Sequence, residues 1–315
     1  MNGQLISTRL CRLCGQPAET SAIGLVSNSY PLMSCNSCHA VLVETKPADE
    51  QLGELYDEAF SDGLYGQYRR EFDALRKGRV PRSHNREKLF RRAFKLTSGG
   101  SVVEIGGGTG AFAAMVQAHG CDYVDYDVSK VAVRCQTDLG YKARWFHPSE
   151  VPPIPQQSAN MLVMWEVLEH VWNIDAYLQM IREALKPGGV FLFSTPNFKR
   201  VGYQNSLRRG GGSAPPIHVN FFTPESLATL FRMHGFDEVE LAFNRLYRPA
   251  LSRKSVWDSL CTAFGIRAPH TIFGFARSSR IRRQRPPASL NDDRMEPLAT
   301  SDAGDERCVS RTLSS

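Results

Sequence analysis

The chain has 315 residues, of which 42% are apolar, and a formal charge of +6 from 38 Lys and Arg against 32 Asp and Glu. Such a composition suits a globular protein, and the length suits one main domain with appendages. No apolar run approaches the roughly 20 residues of a membrane helix, and the opening MNGQLISTRL lacks the apolar stretch of a secretion signal, so a cytoplasmic protein is expected.

The first 48 residues are read as a zinc ribbon. Cysteines in a cytoplasmic chain are metal ligands or free thiols more often than disulfides. Cys11 and Cys14 form one C-x2-C pair, and Cys35 and Cys38 form a second after a twenty-residue spacer. That spacing lets two tight turns offer four thiolates to a tetrahedral, structural Zn2+. Gly15 follows the first pair, where the turn needs an adaptable backbone. His39, adjacent to Cys38, is the poorer alternative ligand. Cys121, Cys135, Cys261 and Cys308 lack partner spacing and read as unligated thiols.

Residues 49–98 are expected to form a basic helical arm. Between Arg69 and Lys95 there are eleven Lys and Arg against three Asp and Glu, a local charge of +8 that leaves −2 for the rest of the chain. Such an arm could meet phosphates on a substrate or on nucleic acid; a solvated helix face explains it equally well. Tyr56, Phe60, Tyr65, Tyr68 and Phe72 interleave with it, either lining a cleft or packing the arm on the main domain.

The main domain is placed at 99–278. Strands are expected near 101–105, 122–126, 142–146, 160–165 and 190–194, with helices at 110–119, 129–139 and 173–185 between them. Alternation of this kind implies a parallel α/β sheet with helices on both faces. Thr223 and Pro224 supply an N-cap and a first-turn proline for a further helix, and two later β-rich runs lie near 237–243 and 270–276. The first strand leads into Glu104-Ile105-Gly106-Gly107-Gly108-Thr109-Gly110, a glycine turn before a helix. Gly106, Gly108 and Ala111 also satisfy the dinucleotide fingerprint, with Asp125 or Asp127 about twenty residues on. Glu104 favours a sulfonium cofactor over a dinucleotide: a pyrophosphate pocket has no use for an acid two residues before the first glycine, whereas a cationic methionine moiety does.

The ordered set E-x-G-x-G-x-G, Tyr126-Asp127-Val128-Ser129, Trp165-Glu166-Val167-Leu168-Glu169-His170-Val171 and Leu185-Lys186-Pro187-Gly188-Gly189 resembles the class I S-adenosylmethionine-dependent methyltransferases, particularly the bacterial ubiquinone-type and sugar methyltransferase group. The likeness covers about residues 85–278. It implies a Rossmann-like, doubly wound, seven-stranded sheet whose last strand is antiparallel. It also implies that Glu104, Gly106, Gly108, Gly110, Asp127 and Glu166 border the cofactor. In related enzymes a Glu-His pair after the fourth strand serves as general base or binds a catalytic metal, so His170 is read as base and Glu169 as its orienting partner. Capping of the next helix is the bland alternative. His218 lies in a segment resembling the family's H-x-x-x-F-T-P and is read as an acceptor contact or a plain loop histidine. Gly210-Gly211-Gly212-Ser213 before it is expected to be a flexible loop.

Two positions depart from the family pattern. His147 stands near the place of an adenine-binding Asp, leaving Phe146 to stack on adenine, and Asn160 replaces the Asp that commonly opens the fourth strand. Residues 279–315, with their arginines, prolines and polar tail, are expected to be disordered. Three functions stay open. One is methyl transfer to a small-molecule acceptor, including a phosphate-bearing one such as a nucleotide sugar or lipid-linked sugar. The others are an rRNA or tRNA methyltransferase using ribbon and arm, and a binding module without catalysis.

Overall fold

The computed structural model describes residues 10–16, 20–47, 57, 66–81, 83–200, 202–210, 213–243 and 270–278. The expected disordered tail, Tyr56, Phe60, Tyr65, Gly211, Gly212, Cys261 and Cys308 lie outside the described residues.

The first sheet begins with an antiparallel hairpin of β1 (Thr20–Ser27) and β2 (Tyr30–Cys35). Asn28 and Ser29 both take left-handed φ, 47° and 67°, the two-residue turn whose twist matches its strands. β3 (Val41–Val43) pairs with β2, and β9 (Asn220–Phe221) arrives from far along the chain to pair with β3. The order is β1-β2-β3-β9. Leu32, Val41 and Val43 share an apolar cluster with Phe198, Tyr203, Leu207 and Phe221. At about 2 kcal/mol per buried large side chain, that cluster ties the cysteine-bearing segment to residues beyond position 197.

The second sheet has seven strands in the order β10-β11-β8-β7-β4-β5-β6. Its strands are β4 (Ser101–Ile105), β5 (Asp122–Asp127), β6 (Ala143–Trp145), β7 (Ala159–Trp165), β8 (Leu185–Pro196), β10 (Glu238–Phe243) and β11 (Thr271–Arg277). The five from β6 to β8 are parallel, and β11 runs antiparallel to both β8 and β10. β7 is buried on both faces, as its unbroken apolar run requires. Leu162 and Met164 pack with Phe191, Phe193 and Phe231 on one side, and Met161, Val163 and Trp165 pack with Phe90 and Phe112 on the other.

The helices are α1 (Gly66–Arg76), α2 (His84–Thr97), α3 (Ala111–Gln117), α4 (Lys130–Asp138), α5 (Ile174–Ala184), α6 (Tyr203–Arg208) and α7 (Pro224–Met233). Local chemistry fixes their starts. Ser129 and Asn173 accept N–H bonds from Ala132 and Ala176, and Thr223 and Ser226 form a reciprocal capping box. α2 buries Leu89, Phe90 and Ala93, with Phe90 edge-on to Phe112 at 5.7 Å. Most of its basic side chains face solvent; Arg91 pairs with Glu87 and Arg92 with Glu240.

Strand order reverses between β4 and β7, so a crevice opens at their carboxyl ends. Asn160 lies at the other end of β7. Its Oδ1 accepts from Ser101 N at 3.1 Å and from Lys186 Nζ at 2.9 Å, pinning together the starts of β4, β7 and β8. This departure from the family pattern therefore has a packing role, remote from the crevice.

Candidate active site

The glycine turn forms the floor of the crevice. Gly106, Gly108 and Gly110 have φ of 75°, 59° and 83°, a region side chains rarely enter. A Cβ on Gly106 would lie 2.7 Å from Val167, so the turn also needs the space. Two N–H groups of this turn are already taken. Gly107 N donates to Asp125 at 3.0 Å and Gly108 N to Asp127 at 3.2 Å, while Ser129 N donates to the second oxygen of Asp127 at 2.8 Å. A pyrophosphate would find these donors occupied by carboxylates.

Beneath the turn lies a concentration of buried acids. Glu104 is 1% exposed and accepts a 2.5 Å bond from Tyr123 Oη. Burial drives its carboxyl up to about 7, against the pull of Tyr123 and Arg86. Burial also raises Asp127 to about 6, and burial with the charges of Asp127 and Glu104 lifts Asp125 well above the usual range. Such groups resist ionising together, and a bound cation would relieve them. The chemistry of this donor set therefore fits a sulfonium ligand and not a pyrophosphate. From the arm, Glu71 accepts from Thr109 at 2.9 Å and Asp57 from Ser129 at 2.7 Å, clasping both strand ends.

Phe146 is buried beside β6, with its N–H on Asp127 O at 3.2 Å. His147 is exposed and bonds Ser149 at 2.6 Å. Trp145 stands 43% exposed at the same strand end.

Across the crevice, β7 ends in strain. Glu166 takes φ 57°, which costs about 1–2 kcal/mol in a residue with a Cβ. The position is held by Ser194, which accepts from Glu166 N through both O (3.0 Å) and Oγ (3.1 Å) and donates from Oγ to Glu166 Oε1 at 2.7 Å. Strain persisting under such constraint is characteristic of functional sites. Among the described residues, the two buried side-chain polar atoms without a hydrogen-bond partner, Trp165 Nε1 and Glu169 Oε1, both lie here.

Glu169, His170 and His218 meet at this point, with ligating atoms within 4.8 Å of one another. Thr195 Oγ1 donates to Glu169 Oε2 at 2.9 Å. His170 Nδ1 lies 2.8 Å from Ile217 O, a pure acceptor, so in the neutral ring the proton sits on Nδ1. Ile217 O, then, fixes the imidazole, and Glu169 Oε1 lies 4.0 Å from Nε2. Burial lowers His170 to about 4 and holds His218 well below its ordinary value, so both rings are neutral at pH 7. The rings meet edge-to-face at 4.6 Å, and His218 Nδ1 lies 3.0 Å from Tyr203 Oη. Two arginines that sequence reasoning did not single out as site residues reach the same region. Arg86 stands 5.6 Å from the Trp165 ring centre, and Arg200 stacks on Tyr203 at 3.8 Å. Their sequence surroundings, a basic helix and a strand-end loop, give no signal that distinguishes them.

A model of the methyltransferase domain family matches residues 76–241, more than half of the chain. The chain belongs to that methyltransferase family. It is similar to a probable S-adenosylmethionine-dependent methyltransferase of Mycolicibacterium smegmatis, at 29% identity over 159 residues, covering 48% of the chain and 57% of that relative. It is similar also to one from Mycobacterium tuberculosis at 25% over 157 residues, covering 49% and 54%. The chain thus spans little more than half the length of these curated relatives. Among solved structures, the [4+2]-cyclase SpnF aligns with a TM-score of 0.50 and 16% identity over 74% of this chain and 97% of that one. A Mesorhizobium loti methyltransferase aligns with a TM-score of 0.46 and 19% identity over 60% and 96%. At these identities the structural likeness is one of fold.

A second cluster of ligating atoms lies in the first sheet. Cys11, Cys14, Cys35 and Cys38 are buried with their sulfurs within 4.8 Å of one another. Cys14 and Cys35 sulfurs are 3.9 Å apart, close to the roughly 3.8 Å edge of a tetrahedron with Zn–S bonds of about 2.3 Å. Both turns place their fifth residue, Gly15 and His39, in left-handed backbone, at φ 67° and 60°. His39 is exposed and outside the thiol cluster. Four such thiols fit a structural zinc. Cys121 and Cys135 have no place in this cluster.

Proposed function

We propose that this methyltransferase moves the methyl group of S-adenosylmethionine to a hydroxyl, amine or acidic carbon of a small-molecule acceptor, with His170 as general base. S-adenosylmethionine supplies the electrophilic methyl on a cationic sulfur. Glu104, Gly106, Gly108, Gly110, Asp127, Phe146, His147 and Glu166 are the residues we assign to that ligand, its positive charge facing the buried acids. The observation that carries the acceptor side is the convergence of Glu169, His170 and His218 beside a strained β7 terminus. His170 Nε2 would take the acceptor proton as the acceptor atom attacks the methyl carbon, with Glu169, whose carboxyl is pushed well above its ordinary range by burial and the charge of Glu166, facing that nitrogen. His218 would bind the acceptor.

An anionic acceptor such as a nucleotide sugar or a lipid-linked sugar phosphate would meet the Arg200 guanidinium, which stacks on Tyr203 and whose charge also acts on Glu166 and Glu169. Screening such acceptors with labelled S-adenosylmethionine tests this reading. Product formation that falls at least about a hundredfold in His170→Gln supports the base, and unchanged turnover would overturn that role.

Glu169 Oε1, buried without a hydrogen bond, favours a second reading of the same cluster. Two neutral imidazoles and one carboxylate suit a divalent cation, with Ile217 O, Thr195 and Tyr203 orienting the three ligands. Turnover abolished by chelation and restored by manganese or magnesium, with the cysteine cluster still loaded, would select it over the base.

A further inference from the structure

Arg12 lies between two of the clustered cysteines, yet its side chain turns towards the acceptor face. Its five N–H groups are all engaged. Nε and Nη2 donate to Val43 O at 3.4 and 3.2 Å, and Nη2 also to Val219 O at 2.7 Å. Nη1 donates to Trp172 O at 3.0 Å and to Asn220 Oδ1 at 2.7 Å, and the guanidinium carbon sits 4.0 Å over the Trp172 ring. Every one of these acceptors is neutral. A guanidinium committed to three carbonyls and one amide is placed for its fork geometry, which a lysine cannot reproduce.

Asn220 extends the arrangement. Its Nδ2 donates to Leu168 O at 2.9 Å and Val171 O at 2.6 Å, while the backbone N–H groups of Val219 and Asn220 donate to Glu169 O at 2.8 and 3.1 Å. The carbonyls of Leu168, Glu169, Val171 and Trp172 are therefore held by Arg12, Val219 and Asn220. The gripped turn carries Glu169 and His170, and the gripping segment begins next to His218.

We propose that Arg12 is a positioning residue: it locks the 168–172 turn against the 217–220 segment, so that the acceptor site forms only when the cysteine cluster is folded. The significance of the site rests on the methyl-transfer reading above; the lock itself does not. Through it the metal state of Cys11, Cys14, Cys35 and Cys38 would govern acceptor geometry without touching the glycine turn.

The test uses the full chain loaded with zinc, and the variants Arg12→Ala and Arg12→Lys. Amide hydrogen exchange at Val219 and Asn220 is expected to accelerate at least about tenfold in both, the cost of losing charge-assisted bonds locally. Imidazole resonances of His170 should move. Zinc content should stay at one per chain, S-adenosylmethionine affinity within about twofold, and exchange in β4 and β5 unchanged. Wild-type exchange at both amides would overturn the proposal, as would acceleration spread equally to β4 and β5. If Arg12→Ala loses zinc, Asn220→Ala, outside the cluster, decides: acceleration confined to 168–172 and 217–219 supports the lock, and wild-type rates overturn it. Because neither readout needs an acceptor, failure of the methyl-transfer reading would show separately, as lost binding of S-adenosylmethionine in the wild type.

Discussion

Replacing Glu104 by Gln should make the protein more stable and a poorer ligand binder at the same time. The carboxyl is fully buried, and its rise from an ordinary 4.5 to about 7 corresponds to about 3 kcal/mol between protonation states. In this window the folded protein holds a proton that the unfolded chain has released, so stability falls as pH rises from 4.5 through 7, and the full cost is present above that. Gln removes the titration while keeping an oxygen for the Tyr123 hydroxyl. Denaturant unfolding at pH 8 should therefore show Glu104→Gln up to about 3 kcal/mol more stable than wild type, with a flatter pH profile between 5 and 7. Calorimetry at pH 8 should show its affinity for S-adenosylmethionine reduced about tenfold or more, because the countercharge is gone. A variant less stable than wild type at pH 8, or one binding the ligand unchanged, would refute the reasoning.

Other outcomes follow from the same geometry. Gly106→Ala combines left-handed backbone with a Cβ 2.7 Å from Val167 and should cost about 2–4 kcal/mol by chemical denaturation; adding Val167→Ala should recover only the packing share. With burial holding His170 at about 4, its ring resonances should show no titration between pH 5.5 and 8 by NMR, and protonation should begin only as pH falls towards 4. Cys35→Ser removes one thiolate of four, so metal analysis should show zinc lost at micromolar free zinc. Unfolding of the first sheet should then become detectable well below the transition of the second.

Most of the second sheet was legible because its signals are local. β-branched and apolar runs set β4, β7 and β8, Thr223 and Pro224 set the start of α7, and the left-handed glycines between β4 and α3 announce themselves. The resemblance added what periodicity cannot, the antiparallel final strand. The cysteine spacing foretold a cluster but not its seat. β9 is two residues long, and nothing in Asn220-Phe221 indicates that it pairs with Val41-Leu42 across some 180 positions. Long-range pairings of that kind are specified by packing, here of Leu32, Val41 and Phe221, which leaves no pattern in a single segment. The same limit hid Arg12, Arg86 and Arg200. Each reads as one basic residue among many until the chain is folded, whereas Glu169 and His170 stood out as titratable groups at the end of an apolar run. Asn160 ran the other way: it reads in the sequence as a departure from the family pattern, and in the fold its side chain pins the starts of β4, β7 and β8 at the end of the sheet away from the crevice.

The most direct test of the account is calorimetric titration of zinc-loaded protein at pH 8 with S-adenosylmethionine and, separately, with NAD. Saturable binding of one S-adenosylmethionine per chain, and none of NAD, is the predicted result. Binding of NAD in its place, or of neither ligand, would contradict the claim that the buried acids around the glycine turn are built for a cation.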